Sequence, residues 1–152
     1  MRSGSIRLLY RLFAREDIVM IQEFVDRYIG QKDELRGLFL EKHPKDYKSI
    51  VQAVVKILAG GDYYEKPDPE RVVEIDHGDY QGTLVFVIGV SGYQPSKYWA
   101  VMVFYGSCSG CDTLQSIADY SSEPPTEEQI NDYMTLALHI VQGIKLIGDN
   151  PV

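Results

Sequence analysis

The sequence predicts an α+β domain: a three-stranded antiparallel β-meander packed with N-terminal helices and a long C-terminal helix. Three observations carry this expectation. Apolar residues recur at helical spacing through the first 61 positions. Three β-branched and aromatic runs follow, joined by short turn-rich links. A capping box then opens a second helical stripe. A chain of 152 residues suits one domain with one core. The reading divides it into a helical part over 1–61, a sheet over 71–106 and a helical part over 111–148.

The elements follow in order. Residues 16–28 place Ile18, Ile21, Phe24, Val25, Tyr28 and Ile29 on one stripe, and Gly30 is expected to stop the helix. Residues 6–13 fit a strand or a helical turn equally. A short helix is expected over 33–41, with Leu35, Leu38 and Phe39 inward and Pro44 beyond it. Asp46 has the position of an N-cap for a third helix, whose stripe is Tyr47, Ile50, Val51, Val54, Ile57 and Leu58. Gly60 and Gly61 end that helix. Residues 62–70 carry two prolines and several charges and read as a loop, the hinge between an α-rich and a β-rich half.

Strands are expected at 71–76, 83–90 and 98–105. The first alternates, with Val73 and Ile75 on one face. The second is apolar on both faces, as a central strand is. Links of a few residues favour antiparallel neighbours, hence the meander. Residues 113–120 fit one or two helical turns. Thr126 and Gln129 have capping-box spacing before a helix running to about residue 147. Its expected buried face is Ile130, Tyr133, Met134, Ala137, Leu138, Val141 and Ile144.

Charge narrows the function classes. The net charge is -7 and the pI about 4.9. Nucleic-acid binding draws on a basic stripe that displaces counterions, and the charges here are mixed, with acids dominating the far end. Direct DNA or RNA binding is therefore not expected. No apolar run approaches the ~20 residues of a membrane span. The basic N-terminal stretch is broken by Arg11 and Arg15 and fits a signal peptide poorly. Two cysteines three apart close too small a loop to staple a fold, so a cytoplasmic chain with reduced thiols is the expectation.

The chemistry-bearing stretch is Tyr105-Gly106-Ser107-Cys108-Ser109-Gly110-Cys111-Asp112. It holds both cysteines, and its glycines and serines let the backbone turn sharply and present several N–H groups together. In a meander the second strand runs against the first and third. The loop entering strand two, residues 77–82, then lies at the same sheet end as the exit from strand three. The first and third strands are two spacings apart, about 10 Å, so His77 or Asp79 can approach Cys108.

The two segments also carry a resemblance. "DHGDYQG", an apolar strand and then "YGSCSGCDTLQ" resemble a family of small uncharacterised phage and bacterial proteins, over residues 74–117. The resemblance implies no activity; it implies that the two loops belong together.

Several chemistries fit these residues. A C-x-x-C at a helix start can lower a thiol pKa for thiol–disulfide exchange, an arrangement similar to thioredoxin, although only helices follow here. Cys108, Cys111 and His77, with Asp79 or Asp112, are candidate zinc ligands, but no second C-x-x-C is present. Gly106-Ser107-Cys108-Ser109-Gly110 has the shape of a nucleophile elbow, with His77 as base and Asp76 or Asp79 as its orienter, in a chain too short for an α/β-hydrolase. The Gly/Ser turn can cradle an anion. The competing structural reading makes the cysteines small packed hydrophobes and the glycines a sheet-to-helix corner. His43 and His139 fit surface or interhelix positions.

The sequence thus favours a binding or regulatory domain over an enzyme. Its contact site for a protein, small ligand or anion comprises Asp79, Tyr80, Gln81, Ser107, Ser109, Gly110 and Asp112. The alternative is a thiol-dependent enzyme using Cys108, Cys111 and His77. No cofactor is required, zinc being the one candidate.

Overall fold

The computed structural model describes residues 15–60, 65–92 and 94–149. Helices α1 (Arg15–Glu41) and α2 (Tyr47–Leu58) precede strands β1 (Pro67–Ile75), β2 (Gly82–Val90) and β3 (Lys97–Tyr105). Helix α3 (Thr113–Ala118), helix α4 (Glu127–Gly143) and strand β4 (Lys145–Asp149) complete the fold. The sheet order is β1-β2-β3-β4, every pair antiparallel. Helices cover one face: α2 lies against β1, α4 against β3, and α1 against both helices and β4. The α+β class and the meander expected from the sequence are both present.

The core lies between this helical layer and the inner sheet face. Leu84, Phe86 and Ile88 alternate inward from β2, and Trp99, Val101 and Val103 from β3. Trp99 meets Phe24 edge-on with ring centroids 5.8 Å apart. Asp46 caps α2, accepting the Ser49 N–H at 2.8 Å, and every residue of the expected stripe from Tyr47 to Leu58 is buried. Thr126 and Gln129 close their capping box reciprocally at the start of α4.

Three boundaries and parts of two helix faces differ from expectation. Gly30 does not stop the first helix, which continues as α1 through residues 33–41. Phe24, Tyr28, Leu35 and Phe39 stay buried in one helical phase across the glycine, so packing against α4 outweighs its low propensity. Ile29 and Leu38 fall outside that phase and are exposed. Pro67 and Pro69 lie in β1 rather than in a hinge loop, at a register irregularity between Pro67 and Val72 where a missing N–H is tolerated. Helix α4 ends at Gly143 and the chain turns extended at Ile144. Residues 145–149, expected to be helical as far as 147, instead pair with Lys97–Ala100 as a fourth strand. Finally, Met134 and Leu138 are only half-buried on α4, while Leu136 and Ile140 complete its inward face. Residues 6–13, Gly61, residues 62–64 and Tyr93 lie outside the described residues.

Candidate functional site: a dithiol turn on the sheet rim

The β1–β2 loop and the exit from β3 share one rim of the sheet. Gly82 pairs with Tyr105 in the β2–β3 ladder. Asp76 Oδ1 accepts the Gly78 N–H at 2.9 Å and the Tyr105 hydroxyl at 2.8 Å. That carboxylate holds the phenol in its neutral form, so the Tyr105 pKa is raised, with the Asp79 charge adding to the effect. The spacing of the loop glycines has a steric cause. A Cβ on Gly78 would lie 2.3 Å from the Tyr105 hydroxyl and 2.5 Å from the Gln81 carbonyl oxygen.

Beyond Tyr105 the chain makes a compact turn into α3. Its anchor is Asp112, only 5% exposed. One carboxylate oxygen caps α3 by accepting the Gln115 N–H at 2.8 Å; the other accepts the Gly106 N–H at 2.9 Å. The Cys108 carbonyl accepts the N–H groups of Cys111 at 3.0 Å and Asp112 at 2.8 Å. Tyr47, from α2, accepts the Leu114 N–H at 3.1 Å and ties the turn to the core. Gly106 is required by close approach: a Cβ there would lie 2.3 Å from the Cys111 carbonyl oxygen and 2.9 Å from its sulfur.

Both cysteines are free thiols at the surface, with their sulfurs 2.8 Å apart. The Cys111 sulfur accepts the Cys108 N–H at 3.1 Å and lies 3.8 Å from the Ser107 hydroxyl. Hydrogen bonding with the Cys108 thiol is the largest influence on Cys111 and lowers its pKa; burial opposes it, and Ser107 and the backbone N–H groups add to the lowering. Beside Cys111 is a shallow depression of about 330 Å³ lined by Ser109, Gly110, Thr113, Ser116 and Ile117.

These contacts sort the sequence expectations. Cys108 and Cys111 come together, and His77, Asp79, Tyr80 and Gln81 are exposed in the loop on the same rim, Tyr80 at 82%. Asp112 is buried and clamps the turn, both its oxygens accepting hydrogen bonds within it. The N–H groups of Gly106, Cys108, Cys111 and Asp112 are likewise engaged, so the expected anion cradle is largely filled by the turn's own carbonyl, carboxylate and sulfur. Asp76 faces Tyr105 and Gly78 instead of orienting His77. Among the described residues no hydrogen bond joins His77 to Cys108, and no three His, Cys, Asp or Glu side chains gather as a metal ion requires. His43 bridges α4 and the segment before it, with Nδ1 2.6 Å from the Tyr133 hydroxyl and Nε2 2.9 Å from the Glu123 carbonyl. His139 is exposed on α4.

Sequence reasoning missed two supports of this site. Tyr105 had a usable signal, as a polar-tipped aromatic at the end of a strand facing the Asp76-His77-Gly78 turn. Tyr47 had none, since its partner is 67 positions away. Comparison of the chain with protein-family models, curated proteins and solved structures gives no match. No described helix is long and apolar enough to cross a membrane.

Proposed function

We propose that the rim is a dithiol–disulfide exchange site, with Cys111 as the attacking thiol and Cys108 as the resolving one. The observation that carries this reading is the position of the Cys111 sulfur. It accepts the Cys108 N–H, lies 3.8 Å from the Ser107 hydroxyl and stands 2.8 Å from its partner sulfur. Donors aimed at a sulfur stabilise its thiolate, and the thiolate is the species that attacks a disulfide. The role is that of a binding or regulatory domain whose rim state depends on these thiols. Asp79, Tyr80 and Gln81, with Ser107, Ser109 and Gly110, form the contact surface that an incoming protein or small disulfide meets.

The exchange balances as follows. The Cys111 thiolate attacks one sulfur of the incoming disulfide, whose S–S bond breaks, and the departing sulfur leaves as a thiolate and takes up a proton. Cys108 then loses its proton and attacks the Cys111 sulfur of the mixed disulfide, releasing the second thiol. The chain gives up two electrons and two protons, and the incoming disulfide becomes two thiols. Such a site fits a compartment that keeps thiols reduced, such as the cytoplasm.

The test is equilibration of the protein in mixtures of reduced and oxidised glutathione, followed by acid quench, alkylation and intact mass measurement. The expected result is a monomeric species two hydrogens lighter in oxidising mixtures, and a Cys108→Ser variant that accumulates a glutathione adduct on Cys111. Two alkylatable thiols in every mixture would remove the proposal.

A further inference from the structure

We infer that the outer face of the sheet, opposite the helices, is the interface of a homodimer. The strands alternate, so residues cross-paired with one another share a face. Val73 pairs with Val87, Ile75 with Val85, and Val85 with Met102. These side chains, together with Phe104, point away from the helical layer, since Val72, Phe86 and Val103 between them are buried beneath it. Phe104 is 79% exposed and Met102 65%. Thr83 and Ala100 lie among them on the central strands, Gly89 and Tyr98 stand at the far end, and Ile147 extends the patch onto β4. Isolated exposed apolar residues are ordinary, but a contiguous sheet face of them is not.

Charge and area point to a second copy as the occupant. Among the described residues the centre of this face carries no ionisable side chain. Charged groups stand only at its margins: Arg71, held by Asp68, at one end and Lys145 on the edge strand. A face without charge offers nothing to a basic partner drawn by the net charge of -7. It also lets two such chains meet without bringing like charges together. An apolar centre with a charged rim is the anatomy of homodimer interfaces. Three strands of 9 residues, about 30 Å long, and the 5-residue β4, all ~4.8 Å apart, give a flat footprint on the order of 500 Å² per copy. Two copies then bury at least about 1,000 Å², the floor for a specific interface. Twisted sheets stack face to face at about 10 Å, which a two-fold axis through this patch provides.

Sedimentation equilibrium of the full chain across a wide concentration range tests the inference. The expected mass is twice 17.3 kDa, falling toward one chain on dilution. Phe104→Glu and Met102→Lys should each weaken association at least tenfold. Both side chains are largely in solvent in the single chain, so far-UV circular dichroism should stay unchanged. Tyr120→Glu, at a position equally exposed but off the sheet, should leave association as it is. A wild-type chain that stays monomeric would overturn the proposal and give the face to a different protein. So would folded Phe104→Glu and Met102→Lys chains that dimerise as the wild type does.

Discussion

The Tyr105 hydroxyl donates to Asp76 Oδ1 at 2.8 Å, joining the last residue of β3 to the turn that leaves β1 across the intervening strand. With the Gly82–Tyr105 pairing, this bond joins the histidine loop and the dithiol turn on one rim. Tyr105→Phe removes the donor and leaves Asp76 with only the Gly78 N–H. The expected outcome is a lower denaturation midpoint and faster amide exchange in residues 76–82. The Tyr105 pKa is raised in the folded chain, so its contribution is present below the ordinary tyrosine value near 10 and is lost as pH rises through the folded value. The midpoint difference between wild type and Tyr105→Phe should therefore shrink in strong alkali.

Gly106→Ala should disable the thiol turn. Its methyl would collide with the Cys111 carbonyl, a backbone atom that cannot rotate away. Overpacking of this kind costs about 1–3 kcal/mol. Chemical denaturation should report that loss, and Cys111 alkylation should slow as its sulfur is displaced from the Cys108 N–H.

Asp112→Ala removes a helix cap and the Gly106 clamp at once. The expected loss is about 1–3 kcal/mol, from an absent cap plus a buried N–H without its acceptor. Asp112→Asn keeps one acceptor and should lose less. If Asp112 instead served partner contact, both variants would retain wild-type stability.

Gly30→Ala should stabilise the protein by about 0.5–1 kcal/mol, because the position is helical and exposed and an added Cβ meets no atom within 4 Å. Urea denaturation measures this directly. A loss of stability would mean that α1 is interrupted at Gly30, as its local sequence implies.

The residues that could and could not be read share a physical logic. Asp46 and Thr126 were legible because a cap acts on the backbone three positions ahead. The meander was legible because short links leave no other connection. Strand β4 was not, since Ile144 and Leu146 suit a helix stripe as well as a strand, and only the open edge of β3 decides between them. Helix α1 ran through Gly30 for the same reason: its partner α4 lies about a hundred residues away. At the site, the shared rim followed from strand direction alone. The difference between the two sulfurs did not, because it depends on which of them the Cys108 N–H reaches. Asp112 stood among the expected contact residues by its place in the turn, and its burial as a brace was not legible.

The most direct test of the dithiol site is the pH dependence of alkylation at each cysteine, resolved by peptide mass spectrometry under reducing conditions. The account predicts that Cys111 reacts first and that its rate rises through a pKa below the ordinary thiol value. A Cys111 that titrates at or above that value, or reacts only after Cys108, would contradict it.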